Sequence, residues 1–312
     1  MNQLHHHLSQ LAAVRRLVET KDTTYYRHQV LNPHPITERT ISIVMTSHER
    51  AQQVYYTLQL LNNSQMKDIQ VILVDDSIQD RLSTERLQSY GIHMDWIEMD
   101  PTKKFWANPC INYNLGFQYI QGGKVIIQNS EVCHVGDVLD YVDKQVTENR
   151  YDVFDVVATK GFQANELLYY QPRLDTGIIH ENLWVQWYQH HQYRNVMYHF
   201  LCATTKTTFD RIGGFSYDYA FGACYDDDDF VLKIRHSKIL MHPVSYSLEQ
   251  VAGIHLFHDK HHMADRRAYT SPLNTDLFEK KTRYLLKNQA YLELSEQSEE
   301  KKEEAFRELN QY

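Results

Sequence analysis

Cysteine is sparse and scattered in this chain. Cys110, Cys133, Cys202 and Cys224 include no C-x-x-C pair, which argues against a disulfide framework and a cysteine-ligated zinc site. The pattern suits free, buried thiols in a reducing compartment. Long apolar runs are also missing. The run at 41–45, already broken by Ser42, is far too short to span a bilayer. No signal-peptide apolar core opens the sequence. These absences predict a soluble, cytoplasmic protein with no transmembrane segment. There is no large basic block, and the net charge is −8, which argues against a nucleic-acid binder. No internal repeat and no Gly/Ser linker is found. No G-x-G-x-x-G follows Ile43-Val44-Met45, which argues against a Rossmann dehydrogenase. The segment Thr46-Ser47-His48-Glu49-Arg50 has no glycine either, so it lacks the phosphate loop a nucleotidyltransferase would want.

What is present is a globular composition: 312 residues, 42% hydrophobic and 23% charged, with 22 tyrosines. Leu4, Leu8, Leu11, Val14, Leu17 and Val18 recur at helical spacing and predict an N-terminal helix, followed by a polar connector through Pro33 and Pro35. From about residue 39 short β-rich runs alternate with helical ones. Strands are expected at 41–45, 71–74, 94–99, 125–127, 153–158 and 200–203. Helices are expected at 49–61, 81–90, 109–119, 135–146 and 207–212. This alternation predicts an α/β fold, a mostly parallel central sheet flanked by helices. Ligands of such sheets bind at the carboxyl ends of the strands. That makes Thr46, Ser47, Asp75, Asp76 and residues 128–131 candidates. Three regions are expected: an N-terminal helical extension (1–38), a central domain (39–272, with halves 39–159 and 160–272) and a charged C-terminal helical tail (273–312). The tail reads as a solvated helix and a possible homo-oligomer contact. Residues 160–200 lose the alternation and carry many aromatic and histidine residues, as functional insertions often do.

The densest chemical signal is Asp226-Asp227-Asp228-Asp229-Phe230 with Lys233, shortly after Gly213-Gly214-Phe215. Four consecutive carboxylates repel one another. They suit a base beside a cation or a polyhydroxyl substrate, and equally an acidic helix N-terminus favoured by the dipole.

In order, Thr46-Ser47-His48-Glu49-Arg50, Val74-Asp75-Asp76-Ser77, Asn112 and Asn114 before Leu115-Gly116, Asn129-Ser130-Glu131, Gly213-Gly214-Phe215 and Asp226 to Asp229 resemble the inverting family 2 glycosyltransferases and related galactosyltransferases with the GT-A fold. The resemblance covers roughly residues 40–262. It implies transfer of a hexose from a UDP-sugar to a hydroxyl of a glycan or glycoconjugate, with inversion, in polysaccharide biosynthesis. On this resemblance Thr46, Ser47, Arg50, Asp75, Asp76, Asn114 and Asn129 bind the nucleotide-sugar, an acid of the Asp75-Asp76 pair accepting the uracil N3 proton. Asp227 is the general base, with a raised pKa among its acidic neighbours, and Asp226 bonds sugar hydroxyls. Asn129-Ser130-Glu131 stands where the family has an Asp-x-Asp metal motif. That departure leaves Glu131 with His255 or His258, placed together if helical, as ligands for Mn2+ or Mg2+. Trp184, Trp187, Tyr188 and His190 are candidate acceptor-binding residues. The alternative is a catalytically inactive carbohydrate- or nucleotide-binding protein on the same fold.

Overall fold

The apolar runs become the buried strands of a large sheet, and the amphipathic stretches between them become its flanking helices. The computed structural model describes residues 2–259 and 261–311, without the side chains of 2–8, 261–272, 299 and 300. Leu4 and Leu8 of the predicted stripe therefore lie outside the described side chains. In chain order the elements are α1 (Asn2–Glu19), β1 (Tyr26–Leu31), β2 (Ile41–Ser47), α2 (Ala51–Asn63), β3 (Ile69–Asp75), α3 (Thr84–Ser89), β4 (His93–Met99) and α4 (Cys110–Phe117). There follow β5 (Lys124–Gln128), β6 (Val132–Val135), α5 (Val138–Gln145), β7 (Arg150–Phe154), β8 (Val156–Thr159), α6 (Phe162–Tyr169), β9 (Trp184–Gln189) and β10 (Leu201–Thr205). The chain continues through α7 (Lys206–Ile212), α8 (Asp226–His236), β11 (Leu240–Val244), α9 (Tyr246–Glu249), β12 (Ala252–His255), α10 (His261–Asn288) and α11 (Glu299–Leu309).

Among the described residues the strands form an eight-stranded sheet, ordered β1-β4-β3-β2-β5-β10-β7-β11, and a four-stranded sheet, ordered β6-β12-β8-β9. The run β4-β3-β2-β5 is parallel throughout, as is the pair β7-β11. Strand β10 lies antiparallel between β5 and β7. On one face α4 packs against β2 and β3, where Gly116 is required: a Cβ there would meet Val44 Cγ1 at 2.8 Å. Leu11, Val14, Leu17 and Val18 of α1 join the same cluster as Leu115, Phe215 and Phe230. The other face is covered by Val54 and Leu58 of α2 and Val142 of α5. No described helix is long and apolar enough to cross a membrane.

Three expectations are corrected. The polar connector contains β1, an antiparallel edge strand whose middle is partly exposed and whose ends, Tyr26 and Leu31, are buried. The run at 153–158 is two strands, because the chain leaves the large sheet at Asp155 and enters the small one. The tail is not simply solvated: Lys281, Glu293 and Lys302 are buried.

Candidate active site

Strands β2 and β3 run parallel in a register that sets Ser47 opposite Asp75, so their carboxyl ends bring Thr46 and Ser47 beside the Asp75-Asp76 pair. Asp76 is buried, with His48 Nδ1 2.9 Å from its Oδ1, while the Asn112 amide donates to Oδ2 at 2.9 Å and Lys104 pairs with that same Oδ2. Burial alone would raise its pKa, but His48 and Lys104 outweigh burial and hold it well below the usual carboxylate range. Asp75 goes the other way. Burial, with Asp76 beside it, pushes it up to about 6, although Ser77 Oγ donates to it at 2.7 Å.

Glu131 is fully buried in the turn between β5 and β6. Arg50 donates to its Oε1 at 2.5 Å, and the Nε2 atoms of His255 and His258 lie 3.2 and 3.6 Å from the same oxygen. Burial alone would raise its pKa, but the Arg50 guanidinium and the hydrogen bond with His255 outweigh burial and hold Glu131 well below the usual carboxylate range. The two histidines come together without a helix. His255 ends β12 opposite Val132 of β6, and His258 comes back from the loop that follows. Burial lowers His258 to about 4, which leaves its imidazole neutral and able to ligate. The ligand atoms of Glu131, His255 and His258 lie within 4.8 Å of one another. One carboxylate and two imidazoles fit a divalent transition ion such as Mn2+.

All four aspartates of the acidic run lie in the first turn of α8. Successive residues point about 100° apart on a helix, so the run fans out to four different partners. Asp226 accepts from the Asn108 amide at 3.0 Å; burial, then Asp227, raises its pKa to about 7. Asp227 Oδ1 lies 2.6 Å from His199 Nδ1. Asp228 accepts from the Tyr198 hydroxyl. Asp229 turns away from the strand ends, to Lys281 at 3.2 Å and to the Tyr291 and Tyr219 hydroxyls.

Helix α4 and the segment before it join these three groups of acids. Asn112 reaches Asp76, and Asn108 reaches Asp226. The Tyr113 hydroxyl donates to the Gln128 carbonyl at 2.8 Å and to Asn129 Oδ1 at 3.3 Å, while its ring lies edge-on to His199. Tyr113 feels the fields of both Glu131 and Asp227. Asn114 faces the Gly-Gly turn, accepting from Phe215 N at 2.9 Å and donating to Phe215 O at 2.8 Å. Gly214 has φ +77°, and a Cβ on it would meet Asn114 Oδ1 at 2.8 Å, so a side chain is excluded on both counts.

Of the aromatic candidates only Tyr188 reaches this centre, stacked 4.1 Å from the His255 ring. Trp184 donates to the Ile178 carbonyl, and Trp187 packs on His190 and Tyr246. His190 belongs to a second group of ligating side chains with Asp155 and His191. His190 Nδ1 accepts two backbone N–H groups, and Asp155 accepts from His191 N, His191 Nδ1 and Tyr246 N. That group serves as a loop anchor. Sequence reasoning missed His199, Lys104 and Asn108 as site residues. Asn108 alone had a local signal, as an asparagine before Pro109 at the start of a predicted helix; its Oδ1 accepts from Cys110 N at 2.9 Å.

No family profile matches the chain, and no curated protein matches it in sequence. Among solved structures, S. aureus TarS is similar with a TM-score of 0.56 and 11% identity, over 87% of this chain and 43% of that one. The chain thus spans less than half the length of TarS. TarS 1-349 in complex with UDP-GlcNAc is similar with a TM-score of 0.55 and 12% identity, over 87% of this chain and 71% of that one. The likeness is one of architecture: the chain shares the mixed α/β fold of these structures, a large sheet flanked by helices.

Proposed function

We propose that the protein is a glycosyltransferase moving a hexose from a UDP-sugar to a hydroxyl of a glycan or glycoconjugate, with inversion and with Asp227 as the base. The observation that carries this reading is the convergence around α4. One short helix and its lead-in touch the acid pair at the end of β3, the Asn129–Glu131 turn, and the acidic start of α8. An enzyme of this class needs those three things at one place: a nucleotide pocket, a site for the diphosphate and a base. The likeness to TarS, solved with UDP-GlcNAc, supports the choice of donor class.

In this reading Thr46, Ser47, Asp75, Asp76 and Asn129 bind the nucleotide, and Arg50 offers a cation to the leaving diphosphate. Glu131, His255 and His258 would hold a divalent ion, which supplies further charge neutralisation for the diphosphate. The acceptor oxygen forms a bond to the anomeric carbon while the carbon–oxygen bond to the diphosphate breaks, its electron pair leaving with UDP. The acceptor's proton passes to Asp227, whose side chain is about a quarter exposed, while Asp226 bonds sugar hydroxyls. Tyr188 lines the acceptor side next to His255.

The test is UDP release from UDP-glucose, UDP-galactose, UDP-GlcNAc and UDP-GalNAc with Mn2+, by the wild type and Asp227→Asn. The variant is expected to lose about 10²- to 10⁴-fold in kcat. Equal rates would reject Asp227 as the base, and no release from any donor by the wild type would reject the function. The anomeric configuration of the product, read by NMR, reports inversion.

A further inference from the structure

We propose that His199 is the positioning partner of Asp227: it holds one carboxylate oxygen and leaves the other to receive the acceptor's proton. The inference rests on the reading of Asp227 as the base and adds to it a residue that no motif marks.

His199 stands just before β10 and is 6% exposed. Its Nδ1 lies 2.6 Å from Asp227 Oδ1. Both atoms are buried, and neither makes a well-aligned hydrogen bond to any described residue. The contact is therefore close but off the ideal line, as catalytic contacts often are before substrate arrives. The imidazole is held independently of the carboxylate. Tyr113 packs edge-on at 4.8 Å and 83°, and Phe215 at 4.7 Å and 69°. Phe215 is in turn pinned by Asn114 through both its backbone groups. Each other aspartate of the run has a different kind of partner: Asn108, Tyr198, and Lys281 with the tyrosines. Asp227 alone faces an imidazole.

The carboxylate has no proton to give, so the nitrogen facing it is the donor. With Oδ1 buried against the ring, the 28% exposure of the side chain falls on the far side of the carboxyl group. A base fixed in this way presents one oxygen to the acceptor in one orientation. A freely rotating carboxylate would lose that advantage. In the transfer the proton moves from the acceptor to Oδ2, and the Nδ1 proton stays where it is.

The experiment compares His199→Phe, which keeps a ring without a donor, with His199→Asn, whose amide can stand in for Nδ1. The substrate is whichever of the four donors is released fastest by the wild type. His199→Phe is expected to lower kcat by about 10- to 100-fold, with the donor KM unchanged. His199→Asn should recover most of that loss. In the Asp227→Asn background neither change should cost anything further, because His199 acts only through Asp227. If His199→Phe folds poorly, His199→Ala, which likewise lacks the donor, takes its place in that background. Wild-type kcat in His199→Phe while Asp227→Asn is inactive would overturn the inference and leave the function standing. So would an additive loss in the double variant. A wild type inactive on all four donors would remove both.

Discussion

Asp226 and Asp227 are adjacent in the chain but sit in unlike surroundings. Asp226 is buried against Asn108 and raised to about 7, first by burial and then by Asp227. The unfolded chain loses this proton near the ordinary carboxylate value, and the folded chain near pH 7. Stability therefore falls as the pH rises between those points and stays lower above them. Asp75, raised to about 6, contributes in the same direction. Asp226→Asn keeps an acceptor for Asn108 and removes the buried charge. It is expected to stabilise the protein by roughly 1–2 kcal/mol at pH 8, to give no gain near pH 4, and to lower turnover. Urea denaturation at the two pH values checks this, and an equal gain at both would reject it. The acidic run was plain in the sequence, because four successive carboxylates have few structural uses. Its partners were not. Asn108 and His199 lie 118 and 28 residues away from their aspartates, and nothing local distinguishes His199 from the other histidines around it.

At the scale of elements, the acidic start of α8 is braced by the C-terminal segment behind it. Lys281 of α10 lies 3.2 Å from Asp229 and 3.3 Å from Asp218. Glu293 reaches Lys233 at 3.1 Å, and Asn274 donates to the Cys224 carbonyl at 2.9 Å. Burial would lower the pKa of Lys281, but Asp229 and Asp218 raise it, so the lysine stays charged. Lys281→Met would leave two buried carboxylates without their cation, at a cost of roughly 3–5 kcal/mol. Adding Asp229→Asn should return a good part of that, since Asp218 keeps the Leu294 and Ser295 backbone donors. Urea melts of both variants decide the matter. An unchanged Lys281→Met midpoint would show that the network adds nothing. In the sequence this segment looked like a surface helix because its residues are charged, and charge does not reveal that a partner of opposite sign is buried opposite. The parallel strands were readable for the converse reason: β2, β3 and β5 are covered on both faces and carry short apolar runs, interrupted in β2 by Ser42. The break at Asp155 was not, because the apolar pattern continues on both sides of it while the chain changes sheets.

The proposed metal centre belongs to the whole molecule. Glu131 and His255 are brought together by the antiparallel pairing of β6 with β12, which sets His255 opposite Val132. Arg50, at the end of the loop after β2, closes on the same glutamate. A metal ion bound here would compete with the guanidinium for Glu131 Oε1, and a nucleotide diphosphate would relieve that competition by offering Arg50 an alternative anion. Mn2+ is accordingly expected to bind weakly to the free protein and at least tenfold more tightly with UDP present. By reciprocity Mn2+ should tighten UDP by the same factor. Arg50→Gln should strengthen Mn2+ binding to the free protein, by about tenfold, and shrink the effect of UDP on it. Calorimetry with Mn2+ alone, UDP alone and both together, on the wild type and on Arg50→Gln, measures these affinities. Mn2+ affinity indifferent to both UDP and Arg50→Gln would show that the arginine does not guard the site, and full turnover in EDTA would show that the diphosphate leaves without a metal.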